Sequence, residues 1–582
     1  MANLTGGEII VQMLKAEGVE KVFGIIDGTY FSLYSNLGKY GIELITPRHE
    51  AIAVHMAGAY ARLTGKLGVC IASNGPGVAN ALAGVAVENA EGNRVLLITS
   101  SRRRRITYPD RGGAYQYFNQ VGVIKPMSKW SGTASSFERI PELLRRALRI
   151  SYRGRPGVVH LDVPEDLMNG KTAPVPILKP QQYRRTSPIV PSPEEVQKAA
   201  DLILQSRLPL IHAGSGIIHA AAYQELKELA ELLNAPVTTS WSARGVFPET
   251  SPLAWSMVHV KPCTEIRNAA DLVLCLGSNL GETDWWGKAP YWKKPDEQRL
   301  IQVDVDEEIL GMNRPADLPI LGDVKVFMNM LNALLKEKDL KEMVQGRKKI
   351  LSDLAKSRDK DRQKLDEKLK DLSSPMITAH VGSVCREFFD DDDIVVFDGG
   401  NTAVWGHFYH QIREPNTQLA THHFGMLGAG VGQALGAAVA RPDKKVYCII
   451  GDGAFGFHPQ EVETAVRNKL NVIYLVCSDR QWGMVKINQQ FTMKPVKTMI
   501  KKSLSPEETI NTDLGEIEWD KLAEAMGAHG ERVSHPADLK PALERAVESG
   551  KPAVIHIDVD PVKHMWAPGL LHFKKLHQEP EG

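Results

Sequence analysis

Two acidic residues in the last third of the chain have the type and spacing to hold a divalent cation. Gly451-Asp452-Gly453-Ala454-Phe455 closes an apolar run, Val446-Tyr447-Cys448-Ile449-Ile450, and Asp479 closes a second, Val472-Ile473-Tyr474-Leu475-Val476-Cys477. Carboxylates are hard oxygen ligands of the kind magnesium takes. The Gly-Asp-Gly turn offers backbone amides that can face phosphate oxygens, which makes Gly451, Gly453 and Ala454 candidates for a diphosphate cradle. With a peptide carbonyl near Gln481, the acids Asp452 and Asp479 could hold Mg2+ and leave positions for phosphate and water. An ordinary strand-turn-helix has the same composition, so the motif gains its meaning from what accompanies it.

The elements that must position these groups are legible around them. Both apolar runs read as buried strands, and residues 459–470 between them carry apolar positions at helical spacing. A right-handed crossover through that helix returns Asp479 to the same carboxyl edge of a parallel sheet as Asp452. Near the N-terminus Glu50 stands just before a second apolar helical run, Ala51-Ile52-Ala53-Val54-His55-Met56-Ala57. Its plainest reading is an acid stabilised at a helix start.

In order along the chain, these segments resemble the thiamine diphosphate enzymes of the acetolactate synthase, 2-oxoacid decarboxylase and 2-hydroxyacyl-CoA lyase superfamily. The spacing from Gly451-Asp452-Gly453 to Ser478-Asp479 matches the family's Gly-Asp-Gly to Asn-Asn motif, with a departure at both positions of the pair. The resemblance puts Asp479 on the metal in place of an Asn and so adds a negative charge beside the diphosphate. Pro47-Arg48-His49-Glu50 resembles the family's His-Glu segment and implies that Glu50 contacts the aminopyrimidine ring, favouring the tautomer that deprotonates the thiazolium carbon. Gly113-Ala114-Tyr115-Gln116 implies a substrate-facing Gln116, and Asp398-Gly399-Gly400-Asn401-Thr402 implies diphosphate contacts from Asn401 and Thr402. Phe424-Gly425-Met426-Leu427-Gly428 implies that Leu427 is the wedge beneath the cofactor and that Gly425 offers a carbonyl to its amino group. The likeness covers roughly residues 5 to 560.

The same likeness implies an α/β fold of three doubly wound parallel-sheet domains, which the alternation of strand-like and helical segments supports independently. We expect a pyrimidine-binding domain at 1–180 and a central nucleotide-binding-like domain at 190–340. A charged helical linker at 341–372 leads to a diphosphate-binding domain at 373–560, and an aromatic tail, 561–582, is either a lid or a packing segment. In the central domain Gly214-Ser215-Gly216 and Gly277-Ser278-Asn279 could contact FAD, ADP, another nucleotide or nothing. The loop that follows, Leu280-Gly281-Glu282-Thr283-Asp284-Trp285-Trp286, departs from the flavin-binding pattern.

The substrate side departs from familiar members too. Ile26-Asp27-Gly28-Thr29-Tyr30 makes Asp27 either a proton shuttle or a turn-forming residue, and His422 and His423 are pocket candidates with an equally good structural reading. The basic run through Lys494, Lys497, Lys501 and Lys502 could meet an acidic substrate such as a CoA thioester.

Composition narrows the class. A net charge of +1 over 582 residues excludes a dedicated nucleic-acid protein despite Arg102-Arg103-Arg104-Arg105, which reads as a solvated loop or an anion contact. Six cysteines without a CxxC pair read as reduced core residues, and the chain shows neither a signal peptide nor an apolar run of membrane length, so we expect a cytoplasmic enzyme. The activity expected is cleavage or formation of a carbon–carbon bond beside a carbonyl, as in acetolactate synthase-like carboligation or 2-oxoacid decarboxylation. A 2-hydroxyacyl-CoA lyase is the alternative, followed by a cyclic diketone hydrolase and, from a different class, a noncatalytic nucleotide-binding regulator. The resemblance implies that the two site halves come from different subunits, and so a homodimer or homotetramer.

Overall fold

The computed structural model describes residues 3–570 together with 572 and 580. Three parallel sheets organise it, as the alternating pattern predicts. The first orders its strands Glu43–Ile45, Lys21–Gly24, Gly68–Ala72, Val95–Ser101, Val158–Pro164 and Trp130–Thr133. The second orders Val237–Thr239, Pro209–Ala213, Leu272–Leu276, Arg299–Asp304 and Leu318–Leu321. The third orders Gln418–Leu419, Ile394–Asp398, Val446–Gly451, Val472–Ser478, Ala553–Asp558 and His529–Val533. Their central strands are buried along their whole length, for which near-continuous Val, Ile and Leu runs are the sequence signature of a sheet covered on both faces.

Register sets the position of the acids. Ile394–Asp398 pairs with Val446–Gly451 so that Asp398 lies beside Ile450, and Gly451 lies beside Cys477 on the next strand. Asp398, Asp452 and Asp479 therefore leave adjacent strands at one carboxyl edge, where open α/β sheets bind ligands.

The first and third sheets meet through two helices. Glu50–Thr64 starts at His49, whose ring accepts from the Ala51 amide at 3.2 Å, and ends at Gly65 in the left-handed region with φ +70°. It packs on Ala429–Ala440, where glycines one turn apart permit the approach. A Cβ at Gly432 would lie 2.8 Å from the His55 Cβ, and one at Gly436 would lie 2.5 Å from the Met56 carbonyl. This seam is clasped by Glu461, which accepts from the Arg48 amide at 3.1 Å.

A long helix, Lys341–Asp366, follows the second sheet. All six cysteines are buried and free. Among the described residues no helix is long and apolar enough to cross a membrane. The arginine run is paired rather than open: Arg103 meets Glu165 at 2.9 Å and Arg104 meets Asp166 at 2.7 Å. Of the tail, Pro561–Met565 is a short helix, while Leu571 and Phe573 to His577, the stretch that bears most on a lid, lie outside the described residues.

Candidate functional site

Asp452 sits at the start of a single helical turn, Asp452–Phe455, and is 6 % exposed. Its Oδ1 accepts from the Gly453 amide at 2.8 Å. Its Oδ2 accepts from the Ser478 hydroxyl at 3.1 Å and from the Arg480 amide at 2.9 Å. Arg480 reaches that position with φ +56°, a left-handed conformation unusual for a residue with a side chain, and such strain clusters at functional sites. Asp479 is equally buried, and its Oδ2 has no hydrogen-bond partner among the described residues. Burial, and then the charge of Asp479, push the Asp452 carboxyl up to about 6; burial pushes Asp479 up to about 7. Two desolvated carboxyls this close suit a cation that would hold both ionised.

Opposite them, Asn401 opens the helix Asn401–Tyr409 and is 4 % exposed, yet neither its Oδ1 nor its Nδ2 has a partner among the described residues. Buried amides are ordinarily bonded, so the two unpartnered atoms of Asn401 at this sheet edge mark the place of a polar ligand. Space is kept open by glycine: a Cβ at Gly399 (φ +92°) would lie 3.3 Å from the Gly451 amide, and one at Gly453 would lie 2.7 Å from the Trp482 ring. Thr402 Oγ1 borders the same edge, 3.0 Å from where a Gly451 Cβ would stand. This cradle fits a diphosphate held through a divalent cation on Asp452 and Asp479, with Asn401, Thr402 and the amides of Gly451, Gly453 and Ala454 around it. Beside it Asp398 accepts from the Gly430 amide at 2.8 Å and is pushed by burial to about 6, a buried anchor that sequence reasoning passed over as part of a loop.

Gln481 donates from Nε2 to the Pro561 carbonyl at 2.8 Å, which ties the loop to the C-terminal helix. Leu427 is half-buried and packs on the core shared by the first and third sheets, and Gly425 precedes it with φ +64°.

The N-terminal group is built around Glu50, which is 9 % exposed. Asn80 Nδ2 donates to its Oε2 at 3.0 Å, and a Cβ on Gly77 would come within 3.2 Å of its Oε1. Asp27 caps the turn Gly28–Tyr30, accepting from the Thr29 amide at 2.8 Å and the Thr29 hydroxyl at 2.5 Å, which is the turn-forming geometry. Gln116 has φ +53° and an exposed side chain; its carbonyl accepts from Asn74 at 2.9 Å. The buried glutamine here is Gln120, which donates to Asp162 and to the Ser100 carbonyl.

His423 stands apart from both groups. Its amide donates to Glu91 at 2.7 Å and its Nε2 lies 3.2 Å from Ser242 Oγ. It lines a cavity of about 1600 Å³ between the first and second sheets. Gly216, Gly277 and Asp304 border this cavity from the central sheet, and Arg153, Arg155 and Arg184 border it from the N-terminal domain. Asp304 ends the strand Arg299–Asp304 and burial pushes it to about 6. Glycine loops, an acid at a strand end and arginines together suit a nucleotide with a diphosphate. The basic segment is partly neutralised, with Lys494 2.7 Å from Glu508 and Lys497 on the same carboxylate.

Comparison with known proteins agrees with this layout. The family model of the thiamine pyrophosphate enzyme C-terminal TPP binding domain matches residues 398–557, that of the N-terminal TPP binding domain matches 4–123, and that of the central domain matches 196–333. The probable acetolactate synthase large subunit of Methanocaldococcus jannaschii is 30% identical over 96% of this chain and 93% of its own length. The acetolactate synthase isozyme 3 large subunit of Escherichia coli is 26% identical over 97% and 96%. The 2-hydroxyacyl-CoA lyase of Arabidopsis thaliana is 29% identical over 96% of each.

Proposed function

Starting from the fact that this chain belongs to the thiamine pyrophosphate enzymes, we propose that it uses thiamine diphosphate and Mg2+ to form or cleave a carbon–carbon bond beside the carbonyl of a 2-oxoacid. Acetolactate synthase-like carboligation or 2-oxoacid decarboxylation is the leading activity. The observation that carries this reading is the pair of buried acids, Asp452 and Asp479, at one sheet edge with the unpartnered amide of Asn401.

The cofactor, when bound, supplies an acidic thiazolium carbon that adds to a carbonyl. The chain does the rest. Asp452 and Asp479 hold the cation, while Asn401, Thr402 and the turn amides hold phosphate oxygens. Leu427 and the Gly425 carbonyl would contact the ring end of the bound cofactor. Glu50, steadied by Asn80, holds or gives a proton at the pyrimidine ring. Asp27 shapes the substrate side through its cap on Gly28–Tyr30, and Gln116 faces the same space.

A second copy of the chain completes the site in this reading, as a homodimer or homotetramer. Ile26 (53 %), Phe31 (58 %) and Tyr115 (73 %) are exposed around the N-terminal group, and Phe457 and Val485 are exposed around the diphosphate cradle. Apolar surface of this extent calls for a partner. The central cavity is a candidate site for FAD or ADP: flavin absorbance of purified protein identifies the first, adenine nucleotide released on denaturation the second, and the absence of both signals means that the cavity holds no nucleotide.

A CoA-thioester lyase is favoured by one feature, the arginine lining at the cavity mouth, which could accept the phosphates of a CoA moiety. A product screen of the holoenzyme decides between them. Turnover of 2-oxoacids, singly or in pairs, supports the leading reading; turnover confined to 2-hydroxyacyl-CoA or to cyclic diketones replaces it.

A further inference from the structure

The C-terminal helix Pro561–Met565 brings an imidazole against the metal edge. It leaves the last strand through Asp560, which caps it by accepting from the Val562 amide at 2.9 Å and the Lys563 amide at 3.0 Å. His564 is 3 % exposed. Its Nδ1 is 2.6 Å from Thr378 Oγ1, its Nε2 is 3.3 Å from Thr402 Oγ1, and the same Nε2 is 3.9 Å from Asp479 Oδ2. The His564 carbonyl accepts from Trp405 Nε1 at 2.9 Å, so the backbone beneath the ring is fixed as well.

Two further contacts join this segment to the loop that carries Asp479. Gln481 donates to the Pro561 carbonyl, and a Cβ at Gly483 would lie 2.9 Å from Asp479 Oδ2 and 3.7 Å from the Met565 Cγ. The loop is therefore tied to the C-terminal helix just after Asp479. The oxygen that faces the imidazole is the one left without a hydrogen bond, and a movement of about 1 Å brings Nε2 within bonding range of it. A neutral imidazole carries one donor and one acceptor. With the Thr378 hydroxyl donating to Nδ1, the proton sits on Nε2, which is the tautomer that can donate to Asp479 or Thr402.

We propose that His564 is a positioning residue of the metal–diphosphate cradle: held by Thr378, it donates through Nε2 to Asp479 Oδ2, so that Oδ1 is the oxygen presented to the cation. The inference rests on the reading of Asp452 and Asp479 as the cation's ligands. Carboxylates that bind metals are themselves hydrogen-bonded, and loss of such an outer partner typically weakens metal affinity about 10–100-fold. It also gives the departure at position 479 a physical sense. An aspartate offers an acceptor oxygen to a donor on the far side from the metal, whereas an asparagine flipped to coordinate through its oxygen would turn an NH2 group toward the Nε2 proton.

The test uses the full-length protein freed of metal and cofactor by chelation, titrated with Mg2+ at fixed thiamine diphosphate and followed by tryptophan fluorescence, since Trp482 borders the cradle. His564→Leu, which fills the site without a donor, should raise the Mg2+ midpoint about 10-fold or more. His564→Gln, which can place an amide donor near the Nε2 position, should restore most of it. Thr378→Val is close in shape and guards against a misfolded Leu variant; freeing Nδ1 should raise the midpoint several-fold. Unchanged midpoints in His564→Leu and Thr378→Val overturn the proposal, as does an equal shift in Leu and Gln, which would mark a packing role. Asp452→Ala in the same titration separates the two levels: if it abolishes Mg2+ dependence while the His564 variants behave as wild type, only the positioning role fails. If Asp452→Ala titrates as wild type, the cation site itself is misassigned.

Discussion

The Ser478 hydroxyl donates to Asp452 Oδ2 across 3.1 Å, so the residue beside one acid fixes the orientation of the other. Both positions of the family's Asn-Asn pair are changed in this chain, and the two changes act together. Ser478, 2 % exposed, steadies Asp452 from the neighbouring strand, while Asp479 brings a second carboxylate to the same edge.

Removal of that hydroxyl is the mildest perturbation of the site. Ser478→Ala leaves Asp452 Oδ2 with the Arg480 amide alone, a loss of about 1 kcal/mol in stability for one buried hydrogen bond. The Mg2+ midpoint for cofactor retention should rise several-fold while the melting temperature moves by only a few degrees. Fluorescence titration and thermal denaturation of one preparation check both.

In the proposed mechanism Glu50 acts on the reactive state rather than on anchoring. Glu50→Gln keeps an acceptor for Asn80, so thiamine diphosphate affinity should change little while kcat falls by about two orders of magnitude or more, the range of a lost general acid–base group. Steady-state kinetics beside calorimetric cofactor binding measure the split. Turnover near wild type contradicts the role given to Glu50.

Glu461 makes stability depend on pH. Burial, partly offset by the Thr464 hydroxyl and the Arg48 amide, raises its carboxyl from 4.5 to about 7 in the folded chain. The folded state therefore binds the proton more tightly than the unfolded one. Its contribution is fully present below the unfolded pKa and is lost as pH rises through about 7. From the shift this amounts to at most about 3 kcal/mol. Glu461→Gln should flatten the fall in melting temperature between about pH 5 and about pH 8. An identical slope in both proteins means the clasp at Arg48 does not titrate.

The sheets and the acids' position were legible because their signals are local. Continuous apolar runs announce strands buried on both faces, and a crossover of one helix fixes the edge to which Asp452 and Asp479 return. Gly432 and Gly436 were harder: small residues in a helix acquire meaning only when Met56 and His55 of a distant segment press on them. The same holds for His564, whose partners Thr378 and Thr402 lie more than a hundred and sixty residues away. Gln120 was hidden by the likeness of Gln116 to a family position; only packing on Asp162 reveals which of the two is buried. His423 was read from its neighbours in sequence; in the fold its amide bonds Glu91 and it lines the central cavity.

Calorimetric titration of metal-free protein with thiamine diphosphate, with and without Mg2+, in wild type, Asp479→Asn and Asp452→Ala tests the central claim most directly. Binding should be saturable and require Mg2+ in wild type, and should be lost in Asp452→Ala. In Asp479→Asn the dependence on Mg2+ should be shallower, because one fewer carboxylate then repels the diphosphate when the metal is absent. Binding that ignores Mg2+, or that is the same in all three proteins, would contradict the claim.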